Sequence, residues 1–309
     1  MRGELSENSD KARNDRGFVL RRNLIFLLTP LVLVGVIVIG VHSIPDDAAS
    51  AAVPTTTATP PPPDPAAAVR DAEATAPGDE KIGVAVLDRV TGKETDGTNA
   101  HATFPCASVL KLFLITDLFH QQEQGTITLS ATDLTEINSA LTISNDAAMN
   151  TLWSKYHGQT AIQQLIGLAK LPDAQIPPTV ATGKWGGVLI SPSDVLAVYQ
   201  YLLTKLTAAD RDLIVGALNQ ANPVGYAGFN QAFGLLDPTT RTASTKAKQG
   251  WSDWQGQTVL NSTGILDSRN NVVVAVLSSR AGHGTDAQYD AARQELDAAT
   301  SALVGHLSD

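Results

Sequence analysis

A single cysteine, Cys106, stands in a chain of 309 residues, which excludes an internal disulfide and any site built from several cysteines. The six histidines (42, 101, 120, 157, 283 and 306) fall at no ligand spacing such as His-x-x-x-His, so neither a metal nor another cofactor is expected. A basic face is missing as well. Net charge is −9, although in the first 23 residues Arg2, Lys11, Arg13, Arg16, Arg21 and Arg22 outnumber Glu4, Glu7, Asp10 and Asp15. Neutralising phosphates requires clustered cations, so nucleic acid is excluded as a partner.

What the chain does have is apolar content: 43% hydrophobic against 17% charged residues, the balance of a globular protein with length enough for a real core. Leu24 to Val41 carries no charge over 18 residues and follows Arg21, Arg22 and Asn23. Crossing a bilayer core takes roughly 20 apolar residues, so a transmembrane helix or uncleaved signal anchor is expected over 24–44. The cationic side stays in the cytoplasm, making 1–23 a cytoplasmic tail and placing the body outside, in the cell envelope. A cleaved secretory signal ending near Ala49-Ser50-Ala51 competes with this reading, although signal cores run only about 7–15 residues. No cysteine closely follows the run, which argues against a lipid-modified N-terminus. Residues 45–65, rich in Ala, Thr and Pro and containing Pro60 to Pro63, read as an extended stalk.

Residues 66–309 read as the folded domain. Ala66 to Ala74 suits a short helix, and Ile82 to Asp88 a strand followed by a turn at Thr91-Gly92. From 106 to about 220 the pattern is mostly helical. It includes helices over Asp194–Leu206, with Ser193 as N-cap, and Ala208–Leu218. Strands return over Thr242–Trp251, Gln257–Leu266 and Val272–Ser279, and an amphipathic helix over Ala287–Leu307 ends the chain. The expected fold is α+β: an antiparallel sheet built from both termini, with an inserted all-helical lobe and a cleft between them.

Three short stretches could carry chemistry. Ser108 and Lys111 are spaced i, i+3 at the start of an apolar helix, on one face. Burial disfavours the charged amine, and a neutral amine beside a hydroxyl can take its proton. Alone, the pair also fits a first-turn serine and a lysine lying along the core edge. Ser144-Asn145-Asp146 opens a helical segment, where Ser144 by itself reads as an N-cap. Lys248-Gln249-Gly250-Trp251 lies on a late strand; alone it is an edge-strand lysine, with Gly250 allowing a bulge or the close approach of a ligand.

Taken together, these stretches resemble the penicillin-recognising serine hydrolases: class A β-lactamases, DD-peptidases and penicillin-binding proteins. "FPCASVLKLFLI" is similar to their nucleophile helix, "ALTISNDAAMNTLW" to the segment with their Ser-Asp-Asn triplet, and "KAKQGW" to the strand with their Lys-Thr-Gly. The resemblance covers about 66–309 and implies a β-lactamase/transpeptidase-like fold. It implies that Ser108 is the acylated nucleophile, Lys111 its base, Ser144 a proton relay and Lys248 the group that tunes Ser144 and binds near the substrate carboxylate. Asp146, Gln249, Gly250 and Trp251 would contact substrate, with the backbone N–H groups of Ser108 and Trp251 forming the oxyanion hole. The implied partner is a β-lactam or a peptidoglycan stem peptide.

The departures are specific. Asp146 stands where the family has Asn and can only accept hydrogen bonds, while Asn145 takes the place of a structural Asp. Gln249 replaces a Ser or Thr hydroxyl, and the interval from Ser108 to Ser144 is shorter than in typical class A enzymes. Between Lys170 and Leu189 there is no Glu to activate a deacylating water, and the lone acid, Asp173, reads as a solvated loop residue. Weak β-lactam turnover is therefore expected. The alternative is a catalytically degenerate binding module of the same fold. Arg241 and Arg280 could meet a carboxylate but suit the surface better; Asn261-Ser-Thr263 matches a glycosylation acceptor but reads as sheet; Cys106 reads as a small buried residue.

Overall fold

A computed structural model describes residues 63–78 and 80–307. The expected tail, transmembrane helix and most of the stalk lie outside those residues. Among the described residues, no helix is long and apolar enough to cross a membrane.

The domain begins with α1 (Pro65–Ala74), started by Asp64, whose carboxylate accepts from the N–H groups of Ala66 and Ala67. Next come β1 (Glu80–Asp88), β2 (Lys93–Asp96) and the two-residue β3 (Phe104–Pro105). The helical part holds α2 (Leu110–Glu123), α3 (Ala131–Thr142), α4 (Asp146–Lys155), α5 (Gly158–Ala169), α6 (Pro192–Lys205) and α7 (Ala208–Asn219), with β4 (Leu189–Ile190) pairing β3. The chain closes with β5 (Lys246–Trp254), β6 (Gln257–Ile265), β7 (Val272–Ala281) and α8 (Asp286–Gly305).

The main sheet runs β2-β1-β7-β6-β5, antiparallel throughout. Strand β1 comes from one end of the domain and β5–β7 from the other, as the pattern predicts. Alternation explains why these strands read as continuous apolar runs. Val84, Val86, Val274 and Val276 pack with Ala72, Leu296 and Leu303 of α1 and α8, whereas Ala85, Leu87, Ala275 and Leu277 pack against the helical lobe.

Of the boundaries that differ from expectation, two have clear local reasons. Helix α6 starts at Pro192, capped by Ser191 and not Ser193: Ser191 and Asp194 exchange bonds as a capping box. Pro192 falls where a helix needs no N–H. The strand expected from Thr242 starts at Lys246, because Thr242 and Thr245 close a turn on each other through Thr245 N–H to Thr242 O at 3.2 Å and Thr242 N–H to Thr245 Oγ1 at 2.9 Å.

Candidate active site

The helix carrying Lys111 is buried on every side, from Leu110 to Phe119. A helix apolar all round belongs inside, and it takes its one lysine with it. Ala107, in the left-handed region at φ 48°, sets up a single 3-10 turn over Ala107–Val109 that leads into α2. Positive φ is uncommon for a residue with a Cβ and is held here by its surroundings. Asn261 of β6, fully buried, donates from Nδ2 to the carbonyls of Pro105 (2.9 Å) and Cys106 (3.2 Å). That burial suits a structural clamp and not a glycan acceptor.

Lys111 is 0% exposed, and its Nζ lies 2.6 Å from Ser108 Oγ and 2.6 Å from Asp146 Oδ1. The Trp185 ring covers it, 4.5 Å from Nζ to the ring centroid. Burial lowers the amine to about 8, opposed by the neighbouring Asp146 carboxylate. Asp146 is half exposed, so this ion pair joins a dry amine to a wet carboxylate.

Ser144 sits between α3 and α4 at φ 57°, wholly buried. It is not the cap of α4. Asn145 is, accepting from Ala147 and Ala148 N–H while its Nδ2 reaches Ser139 Oγ at 3.0 Å. Ser144 Oγ is thereby free to receive Lys248 Nζ at 2.8 Å, and the same amine donates to the carbonyl of Gln249 at 2.8 Å. Lys248 lies on the edge strand yet is buried, and burial followed by the charge of Lys111 pushes its amine well below the ordinary lysine range.

The structure thus brings together Ser108, Lys111 and Asp146 as one hydrogen-bonded group and Ser144 with Lys248 as another. Gly250 joins them: a Cβ there would lie 3.1 Å from Cys106 O and 3.2 Å from Val109 N, so its bareness serves the approach of backbone to backbone, not of a ligand. Gln249 does not join them. It is buried, faces the α8 side of the sheet and donates from Nε2 to Phe233 O, which removes it from the expected carboxylate contact. The Trp251 side chain points the same way, stacked on Phe229 with centroids 4.2 Å apart, leaving only its backbone for the site.

Asp173 is not a free solvated residue: its carboxylate meets His101 Nδ1 at 2.9 Å, and its N–H donates to Asp194 Oδ1 at 3.4 Å. Lys111 is instead covered from this loop by Trp185, whose Nε1 donates to Asn150 Oδ1 at 2.8 Å. The indole and Asn150 carry no sequence signal that marks them, and the one at Asn261, a glycosylation-acceptor match, points away from this role. Arg280 pairs with Glu295 at 2.7 Å and Arg241 reaches Asn219 O at 3.3 Å. Cys106 is fully buried, with its thiol pushed far up by burial, as suits a packing residue. A cavity of about 590 Å³ lies elsewhere, lined by residues such as Val86, Leu266 and Val304, and none of the five clustered side chains borders it.

Known proteins resemble this chain in sequence and in fold. Residues 64–136 match the Beta-lactamase enzyme family. The chain is 30% identical over 210 residues to "Putative lipoprotein LppW" of Mycobacterium tuberculosis and of Mycobacterium bovis, covering 67% of this chain and 65% of each relative. It therefore spans just under two thirds of the length of the curated relatives it matches. Among solved structures, the TLA-3 extended-spectrum β-lactamase aligns with a TM-score of 0.62 at 14% identity, over 79% of this chain and 99% of that one. The β-lactamase of Streptosporangium roseum aligns with a TM-score of 0.59 at 16% identity, over 78% and 99%. A reconstructed class A β-lactamase, the last common ancestor of Gram-negative bacteria, aligns with a TM-score of 0.57 at 19% identity, over 78% and 98%. By the match over residues 64–136 this chain is similar to the Beta-lactamase enzyme family, and its described domain has the fold of class A β-lactamases.

Proposed function

We propose that this protein is an envelope-facing serine acyl-transfer enzyme, held to the membrane through residues 24–44 and acylated on Ser108 by a β-lactam or a peptidoglycan stem peptide. The observation that carries the reading is the 2.6 Å contact between Ser108 Oγ and the buried amine of Lys111. In its neutral form Lys111 takes the hydroxyl proton as Oγ bonds to the carbonyl carbon. The backbone N–H groups of Ser108 and Trp251 receive the developing oxyanion. As the C–N bond breaks, Ser144, hydrogen-bonded to Lys248, passes a proton to the leaving nitrogen.

The resulting ester is long-lived. Where a water-activating carboxylate would be needed, Lys111 is faced by the Trp185 ring, and Asp173 is engaged by His101. A second reading, a binding module without turnover, is favoured by one observation: the Asp146 carboxylate pairs with Lys111 and favours its charged, non-basic form. Incubating the full chain with a fluorescent penicillin separates the two. A covalent adduct on Ser108, absent in Ser108→Ala, supports the enzyme; no adduct at any pH supports the binding module. Rapid turnover of a chromogenic cephalosporin would contradict the long-lived ester.

A further inference from the structure

Asp146 has one oxygen committed and one spare. Oδ1 accepts from Lys111 Nζ at 2.6 Å, whereas Oδ2 accepts no hydrogen bond among the described residues, on a side chain that is 53% exposed. The amine it touches also touches Ser108, so the spare oxygen borders whatever is bound at that serine. From this arrangement we infer that Asp146 is a specificity-determining residue, selecting substrates that carry a cationic amine on the acyl side of the scissile carbonyl. The inference rests on the acyl-transfer reading above and deepens it.

Charge balance is the reason. While Lys111 is an ammonium, it neutralises Asp146 and cannot act as a base. Once Lys111 is neutral and able to take the Ser108 proton, Asp146 is left as an uncompensated carboxylate beside a dry cluster. A substrate ammonium at Oδ2 supplies the missing charge. It also weakens the hold of Asp146 on the lysine proton, so the cation that binds best is the one that releases the base. A substrate presenting a carbonyl oxygen to Oδ2 does the opposite, setting acceptor against acceptor. The acid of the loop that carries Trp185, Asp173, is already engaged by His101.

Ampicillin and benzylpenicillin, which differ by one ammonium on the acyl side chain, test the inference through their acylation rates, followed by intact mass on the full chain. Wild type is expected to take ampicillin about tenfold faster, a difference set by one partly screened charge pair. Asp146→Asn, which keeps the shape of the helix start, is expected to abolish or reverse that preference, and Asp146→Ser to do the same should the Asn form fold poorly. Acylation of Ser108 by both compounds at a ratio unmoved by either substitution overturns the inference while leaving the acyl-transfer reading intact. If neither compound acylates, that reading fails, and equilibrium binding then decides the inference by itself. D-alanyl-D-alanine with a free amine should bind the wild-type chain more tightly than its N-acetyl form, and Asp146→Asn should remove the difference; equal binding overturns it.

Discussion

Gly250 and Asn261 face each other across β5 and β6, and both meet the carbonyl of Cys106. One does so by having no side chain and the other by donating a hydrogen bond, so the turn carrying Ser108 is pressed onto the sheet and held there. Gly250→Ala places a methyl 3.1 Å from that carbonyl, tight enough that the turn must give by a few tenths of an ångström. Penicillin acylation is expected to fall about tenfold with little change in melting temperature, since small misplacements of a reacting group are costly to rate. Asn261→Ala removes the side-chain donor that the Pro105 and Cys106 carbonyls share, Cys106 O keeping only Val109 N–H, and is expected to cost about 1–3 kcal/mol, read by chemical denaturation.

The acylation rate should follow the titration of Lys111, rising as pH climbs through about 8. Asp146 favours the charged amine, so Asp146→Asn should move the midpoint to lower pH. A pH–rate profile of both proteins checks the sign; an upward shift would refute the assignment of the base.

Lys111 should cost the fold stability, and that cost should fade with rising pH as activity appears. Its folded value is depressed from 10.5 to about 8, so below about 8 the fold bears the whole cost of a buried charge, and stability rises with pH between about 8 and 10.5. Lys111→Met removes a cost of about 3 kcal/mol at neutral pH. The variant should melt higher than wild type and accept no penicillin.

Lys248→Met leaves Ser144 Oγ without its 2.8 Å donor while keeping the buried volume. Loss of one positioned proton-transfer group should lower acylation by about 10²–10⁴. An intact circular-dichroism spectrum shows that the loss is chemical.

Glu80 is buried at the start of β1 beside Glu295, and burial raises its carboxyl from 4.5 to about 7. The folded state therefore holds a proton that the unfolded state releases, and stability is lost as pH rises from about 4.5 to 7. Glu80→Gln should flatten the fall in melting temperature over that interval; an unchanged slope would place its source elsewhere.

Much of this molecule is legible in order of residues alone. Apolar runs of strand length at both ends of the domain, with helical spacing between them, determined an antiparallel sheet and an inserted lobe, because pattern follows which faces are buried. The unbroken apolar helix around Lys111 likewise dictated a dry amine one turn from Ser108. Partner choice was another matter. Whether Ser144 or Asn145 caps α4, whether Gln249 faces the cleft or α8, and that Trp185 covers Lys111 were decided only by tertiary packing. Each depends on atoms brought together across the fold, Ser144 and Lys248 from 104 residues apart, and local pattern carries no record of such meetings.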